Sequence, residues 1–239
     1  MTAGQLEIAL GAWVYRYFVP NIDSYCDILL NRIDPIFMDV DAEEKRVYEE
    51  FLASASTYYS DDDADTAYEA AYEHAREHCY QFVEMRSIFL TTGVSGLFHL
   101  FEKQLYLHIN KELKHWLATP VTSWRDLEDL IPKFDRKRGV DVVCLDFVEA
   151  FRNADLKELR LVANTIKHGS DGQSYKEPVR SGAVVVDEER VKEDWTAGPY
   201  STFGVNLSVQ VDDVRRYQAA IKRFWEVDGT FCAARSAFK

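Results

Sequence analysis

TAYEAAYEHAREHCYQFVEMRSIFLTTGVSGLFHLFEKQLYLHINKELKHWL, residues 66–117, decides the fold. It runs for two-fifths of a typical small domain without a proline, and its only breakers are Gly93 and Gly96. Apolar residues recur every three or four positions. Ala71, Ala75, Cys79, Phe82 and Phe89 share one helical face, and Leu97, Phe101, Leu105 and Ile109 share another. The spacing predicts a helix from about 65 to 92 and a second from about 94 to 117, or one continuous rod. Helices of that length bury their apolar stripes in a bundle.

Outward from this stretch the helical pattern continues. Residues 3–19 read as a first helix with Trp13, Tyr17 and Phe18 toward its buried side, stopped at Pro20-Asn21. Residues 22–38 carry Ile22, Cys26, Leu29, Leu30 and Ile33 at helical spacing, with Pro35 kinking or ending the run, and 43–59 read as a third helix. The acidic run Asp61-Asp62-Asp63-Ala64-Asp65 suits a helix start. It lacks the order and the glycine of an EF-hand loop. Pro120 closes the long stretch, Ser123 caps a short helix over 124–131, and KFDRKRG (133–139) reads as an exposed basic linker. Helices follow over 141–153 and 155–168, the latter opening on Asp155 and Glu158 in a capping-box pattern and ending before Gly169. From 169 to 208 helical periodicity vanishes, and 183–186 and 203–209 look like short strands. A last helix spans about 211–227, with Tyr217, Ile221, Phe224 and Trp225 facing in. The expectation is a single, mainly all-α domain over 1–239, a helical bundle with a small irregular or β-hairpin insertion at 169–208.

Composition narrows the function classes. The 239 residues are 47% hydrophobic and 13% aromatic, which is globular rather than disordered. The net charge of -12 argues against coating DNA or an anionic membrane, though not against a local basic site. Cys26, Cys79, Cys144 and Cys232 are scattered, which suits buried thiols in a reducing cytosol better than a disulfide scaffold or a zinc site. The first residues have no basic n-region, and no run is apolar enough to span a bilayer, so a cytoplasmic location is expected. Walker, dinucleotide-glycine, GxSxG and HExxH patterns are absent. No cofactor and no metal is implied. His74 and His78 have an i, i+4 metal spacing but read as boundary residues of the long helix, and His99, His108 and His115 read as packing or surface.

One segment carries chemistry: Glu158-Leu-Arg160-Leu-Val-Ala-Asn164-Thr-Ile-Lys167-His168. On a helix Leu159, Val162, Ala163 and Ile166 form the apolar face. Arg160, Asn164 and His168 stack one turn apart on the other side, flanked by Lys157 and Lys167. Histidine moves protons near neutral pH, arginine holds a phosphate and the charge of its transition state, and asparagine orients an imidazole or a ribose hydroxyl. Together they suffice for metal-independent RNA cleavage through the 2′-hydroxyl, a nucleophile that DNA lacks. A solvated outer helix face is the alternative reading of the same stripe.

The stretch ELRLVANTIKHGSDG in an all-helical chain, with Arg223-Phe224-Trp225 on a following helix, resembles the HEPN superfamily of prokaryotic toxin and phage-defence ribonucleases. The spacing differs: seven residues separate Arg160 from His168, more than the family's pattern holds. The resemblance implies a metal-independent endoribonuclease acting as a homodimer, with Arg160 and His168 catalytic, Asn164 as polar partner, Lys157 and Lys167 binding RNA, and an antitoxin or another protein as a further partner. The competing expectation is a catalytically inert interaction module that uses the same stripe and the 169–208 loop.

Overall fold

The computed structural model describes residues 5–10, 12–55, 64–112, 114, 117–127, 129, 153–168, 209–226 and 229–234. In chain order the elements are β1 (Gln5–Leu10), α1 (Ala12–Asp27), a π turn (Ile28–Ile33), a 3-10 turn (Asp34–Phe37), α2 (Val40–Ala55), α3 (Ala64–Glu112), α4 (Ala154–His168), α5 (Val211–Glu226) and β2 (Gly229–Ala234). The architecture is a mainly-α helical bundle. The two strands pair antiparallel, with Gln5 opposite Ala234 and Leu10 opposite Gly229. The expected insertion at 169–208 and the expected helix at 141–153 lie outside the described residues.

Three expectations for the first forty residues are corrected. Residues 5–10 are strand rather than helix, and Pro20 lies inside α1 instead of ending it. Pro20 is exposed, as is Arg16, whose carbonyl loses its amide partner. Phe18, Val19, Ile22, Cys26 and Leu29 stay in register on the buried face across it. Tyr17 points outward instead of into the core. The helical run loosens into the π turn and closes at Pro35, as the sequence predicts. Buried Asp34 in that turn accepts a two-pronged hydrogen bond from Arg86 of α3, at 2.8 and 3.3 Å.

α3 is one helix of 49 residues, about 73 Å long at 1.5 Å per residue. Its two glycines break nothing because Tyr25 of α1 and Leu29 of the π turn fill the space they leave. A Cβ at Gly93 would overlap the Leu29 side chain, and one at Gly96 would overlap the Tyr25 hydroxyl. That hydroxyl donates to the Gly93 carbonyl at 2.9 Å. Glycine is therefore required by close approach, not by a bend.

Beyond the glycines, Val94, Leu97, Phe98, Phe101, Leu105 and Ile109 join α1, α4 and α5 in the bundle core. Trp225, Tyr217, Phe101 and Phe224 are its largest fully buried side chains. Trp225 meets Phe18, Phe101, His108 and Phe224 at ring separations of 4.9–6.0 Å. Gln104 donates from the core to the Phe18 carbonyl. The Asn110 amide pins the returning chain, giving and taking a 2.7 Å hydrogen bond with the Val121 backbone.

Before Leu90, α3 leaves this core and forms an arm with α2. Its seam is small: Ala67, Ala71, Ala75 and Cys79 are buried, as is Val47 of α2. Phe82 is half-buried and Phe89 exposed, contrary to their expected places on the buried face. Rows of four residues drift around a helix that turns every 3.6, so Leu90 takes over the inner position.

Glu43 links the two helices of the arm. It accepts from Arg46 on its own helix and lies 2.8 Å from His78 Nε2 of α3. The Arg46 hydrogen bonds, aided by His78, hold its carboxyl at about 2, against about 4.5 ordinarily. A depressed carboxylate stabilises the fold above its ordinary pKa, and the contribution is lost as pH falls toward 2. Glu43→Gln is thus expected to lower stability by about 1 kcal/mol at pH 7, solvent screening included. In urea titrations the gap to wild type should narrow steadily between pH 4.5 and 3; a constant gap would show that Glu43 acts through packing alone.

Candidate functional site

α4 begins at Asn153, whose Oδ1 accepts from the amides of Asp155 and Leu156 at 2.9 and 3.3 Å. This corrects the capping-box expectation: Asp155 and Glu158 turn toward α5 instead. Leu156, Leu159, Val162, Ala163 and Thr165 are buried, with Ile166 packed at the core's edge. The Thr165 hydroxyl is satisfied within the helix by donating to the Leu161 carbonyl at 2.9 Å. The inner face is therefore fixed, and with it the direction of the outer stripe.

The stripe lines up as the periodicity predicts, in unlike surroundings. Arg160 and Asn164 are half-buried, while His168, the last residue of α4, is exposed. Lys157 and Lys167 are also exposed. Lys167 places positive charge at the negative end of the helix dipole. Eight residues of helix put about 12 Å of rise between Arg160 and His168, with Asn164 midway.

Arg160 is integrated into the fold in a way its sequence neighbours do not reveal. Its guanidinium lies 4.8 Å over the Trp124 ring, and Trp124 packs against Phe98 of α3. Trp124 is itself placed by a capping box at the head of its turn: Ser123 Oγ accepts from the Asp126 amide, and the Asp126 carboxylate accepts from the amides of Thr122 and Ser123. Those bonds, the Thr122 amide first, lower the Asp126 pKa. Tyr106, near enough to feel the Arg160 charge, donates to Glu102 at 2.5 Å. Burial, then Glu102, pushes its phenol well above the ordinary tyrosine value, with Arg160 opposing.

The strongest polar construction near α4 is one that no sequence motif announces. Arg216 of α5 donates to Asp155 (2.9 Å), Glu158 (2.5 and 3.1 Å) and Asp213 (3.1 Å). The Tyr217 hydroxyl donates to the same Glu158 oxygen at 2.6 Å, and Arg223 reaches Asp155 at 3.0 Å. Burial, then the hydrogen bond to Glu158, raises the Tyr217 pKa, and Glu158 leads the causes that raise that of Arg216. The network locks α4 to α5 on one flank and leaves the Arg160–Asn164–His168 stripe on another.

Other sequence candidates stay apart from the stripe. His74 packs against the Phe51 ring, His78 against Glu43 and Phe82, and His99 against Glu102. His108 is a core residue, edge-on to Trp225 and Phe18. Among the described residues no three His, Cys, Asp or Glu side chains converge as metal ligands. Cys26 and Cys79 are buried free thiols, and burial, reinforced by Asp23, pushes Cys26 up to about 12. Asp61–Asp63, the 133–139 linker, His115 and Cys144 lie outside the described residues. No described helix is long and apolar enough to cross a membrane.

Two shallow surface depressions, of about 420 and 320 Å³, lie beside Asp23, Asp27 and Arg32 and beside Arg215, Lys222 and Arg223; neither includes a stripe residue. No family model, curated protein or solved structure matches the chain.

Proposed function

We propose that the chain is an HEPN-like, metal-independent endoribonuclease that works as a homodimer, in the class of toxins and phage-defence effectors. One observation supports this reading above the others: α4 holds Arg160 and His168 on a single outer stripe, four residues to either side of Asn164. One chain alone separates the two groups by about 12 Å. A two-fold axis passing by Asn164 would set Arg160 against His168 of the partner subunit, and the reverse, in one isologous cleft. Arg160 would hold the scissile phosphate while the RNA 2′-hydroxyl, giving up its proton to water, attacks phosphorus through its oxygen. His168 would give its proton to the departing 5′-oxygen, leaving a 2′,3′-cyclic phosphate and a 5′-hydroxyl. Lys157 and Lys167 would supply local positive charge to a chain of net charge -12.

A second reading, a catalytically inert interaction module, draws on a specific observation too: Arg160 is stacked on Trp124. An arginine engaged in this way serves the fold as readily as a phosphate.

Cleavage of total RNA in EDTA separates the two. Wild type is expected to cut, and His168→Ala and Arg160→Ala, matched for folding, to lose at least about a hundredfold in rate. Cyclic phosphate ends should mark the products. Equal cleavage by the three proteins would remove the stripe from the chemistry. A folded dimer of wild type that leaves RNA intact would favour the interaction module.

A further inference from the structure

The arm formed by α2 and the first half of α3 carries a surface that the ribonuclease reading does not use. Tyr68, Tyr72, Arg76 and Tyr80 follow one another at intervals of four residues, forming a single row along α3. The three tyrosines are 54, 55 and 66% exposed. Solvated tyrosines in a continuous row are unlike the scattered apolar residues of an ordinary surface. Glu69, Glu73 and Glu77, all exposed, form the adjacent row. Across α2 and residues 64–90 the arm carries ten carboxylates against four Lys and Arg side chains. A nucleic acid would be repelled by this charge, and a cationic partner drawn to it.

The row already shows how a cation is received. The Arg76 guanidinium lies 5.8 Å from the centre of the Tyr80 ring, and Tyr80 first, then Tyr72 and Glu73, raise its pKa. Aromatic faces next to carboxylates satisfy a guanidinium twice, by cation–π attraction and by hydrogen-bonded charge. The spacing also fits an extended chain. Successive rungs of the row are about 6 Å apart along the helix. Alternate side chains of an extended peptide are about 6.6 Å apart and point the same way.

We infer that this Tyr–Glu double row on the α3 arm is a docking surface for an extended, arginine-rich polypeptide segment of a partner protein. Tyr68 and Tyr72 take its guanidinium groups on their faces, and Glu69, Glu73 and Glu77 accept their N–H groups.

The test uses the full chain and a fluorescent eight-residue peptide that alternates arginine and serine, followed by anisotropy at about 150 mM salt, where diffuse surface attraction is screened. Wild type is expected to bind it at least about threefold more tightly than the matching lysine peptide. The triple variant Tyr68→Ser/Tyr72→Ser/Tyr80→Ser is expected to weaken binding about tenfold or more. Glu69→Gln/Glu73→Gln/Glu77→Gln should weaken it comparably. Asp129→Asn/Asp212→Asn/Glu226→Gln, which removes the same charge from exposed positions off the arm, should leave it within twofold. Circular dichroism checks that each variant is folded. No binding by wild type, equal affinity for the lysine peptide, or equal loss in all acidic variants would overturn the inference and reduce the effect to bulk charge.

Discussion

Truncating Trp225 to alanine is expected to destabilise the protein by about 3–5 kcal/mol, the range for removing a large aromatic from a close-packed core. The side chain is fully buried, and its ring is shared by three helices of the bundle: Phe18 of α1, Phe101 and His108 of α3, and Phe224 of its own helix. No rotation of one neighbour can fill the space, because the surrounding rings come from three helices at different angles. Trp225→Phe should lose less than half as much. The indole Nε1 has no hydrogen-bond partner among the described residues, so replacing it sacrifices volume rather than a polar contact. Urea unfolding at 25 °C measures both. A loss below about 1.5 kcal/mol for the alanine variant would mean that the core closes over the gap and that Trp225 does not organise it.

Arg216→Ala is expected to cost about 2–3 kcal/mol, below the figure for a fully buried pair because Arg216 keeps some contact with water. The damage comes from what stays behind. Asp155, Glu158 and Asp213 would face one another, with Arg223 beside Asp155 and the Tyr217 hydroxyl on Glu158, and the Glu158 side chain is just 11% exposed. Replacing Glu158 and Arg216 together, as Glu158→Gln/Arg216→Met, should recover part of the loss, since Glu158, the least exposed of the three carboxylates, is then not left as a stranded charge. Thermal unfolding of the two single variants and the double variant reads the coupling. Additive losses would show that Glu158 and Arg216 act separately. The same variants test positioning: if α4 must be held for cleavage, Arg216→Ala lowers the RNA cleavage rate while the folded fraction is unchanged.

Much of this architecture is legible in the chain. The proline-free stretch yields α3, because apolar positions at intervals of three and four leave no other regular structure that buries them. Tyr217, Ile221, Phe224 and Trp225 face inward as their spacing predicts. The buried face of α4 follows in the same way, and with it the outer stripe. What escapes the sequence depends on partners far along the chain. Pro20 reads as a stop until its exposure shows that the lost hydrogen bond costs little. Asp155 and Glu158 fit a capping box until Arg216, 58 residues beyond Glu158, claims both. Arg160 reads as a free-standing phosphate ligand until Trp124 slides beneath it. Local periodicity reports which face is buried; it carries no record of which charges meet across the core.

The unbroken length of α3 turns the Tyr25–Leu29 contact into a fulcrum. From Gly93 to Ala64 the helix is about 44 Å long, so a bend of about 20° at the glycines would swing the tip through about 15 Å. Leu29 fills the space beside Gly93, and Tyr25 bonds its carbonyl, so α1 and the π turn set the angle of the lever. Tyr25 and Leu29 thereby decide where a surface about 20–38 Å away is aimed.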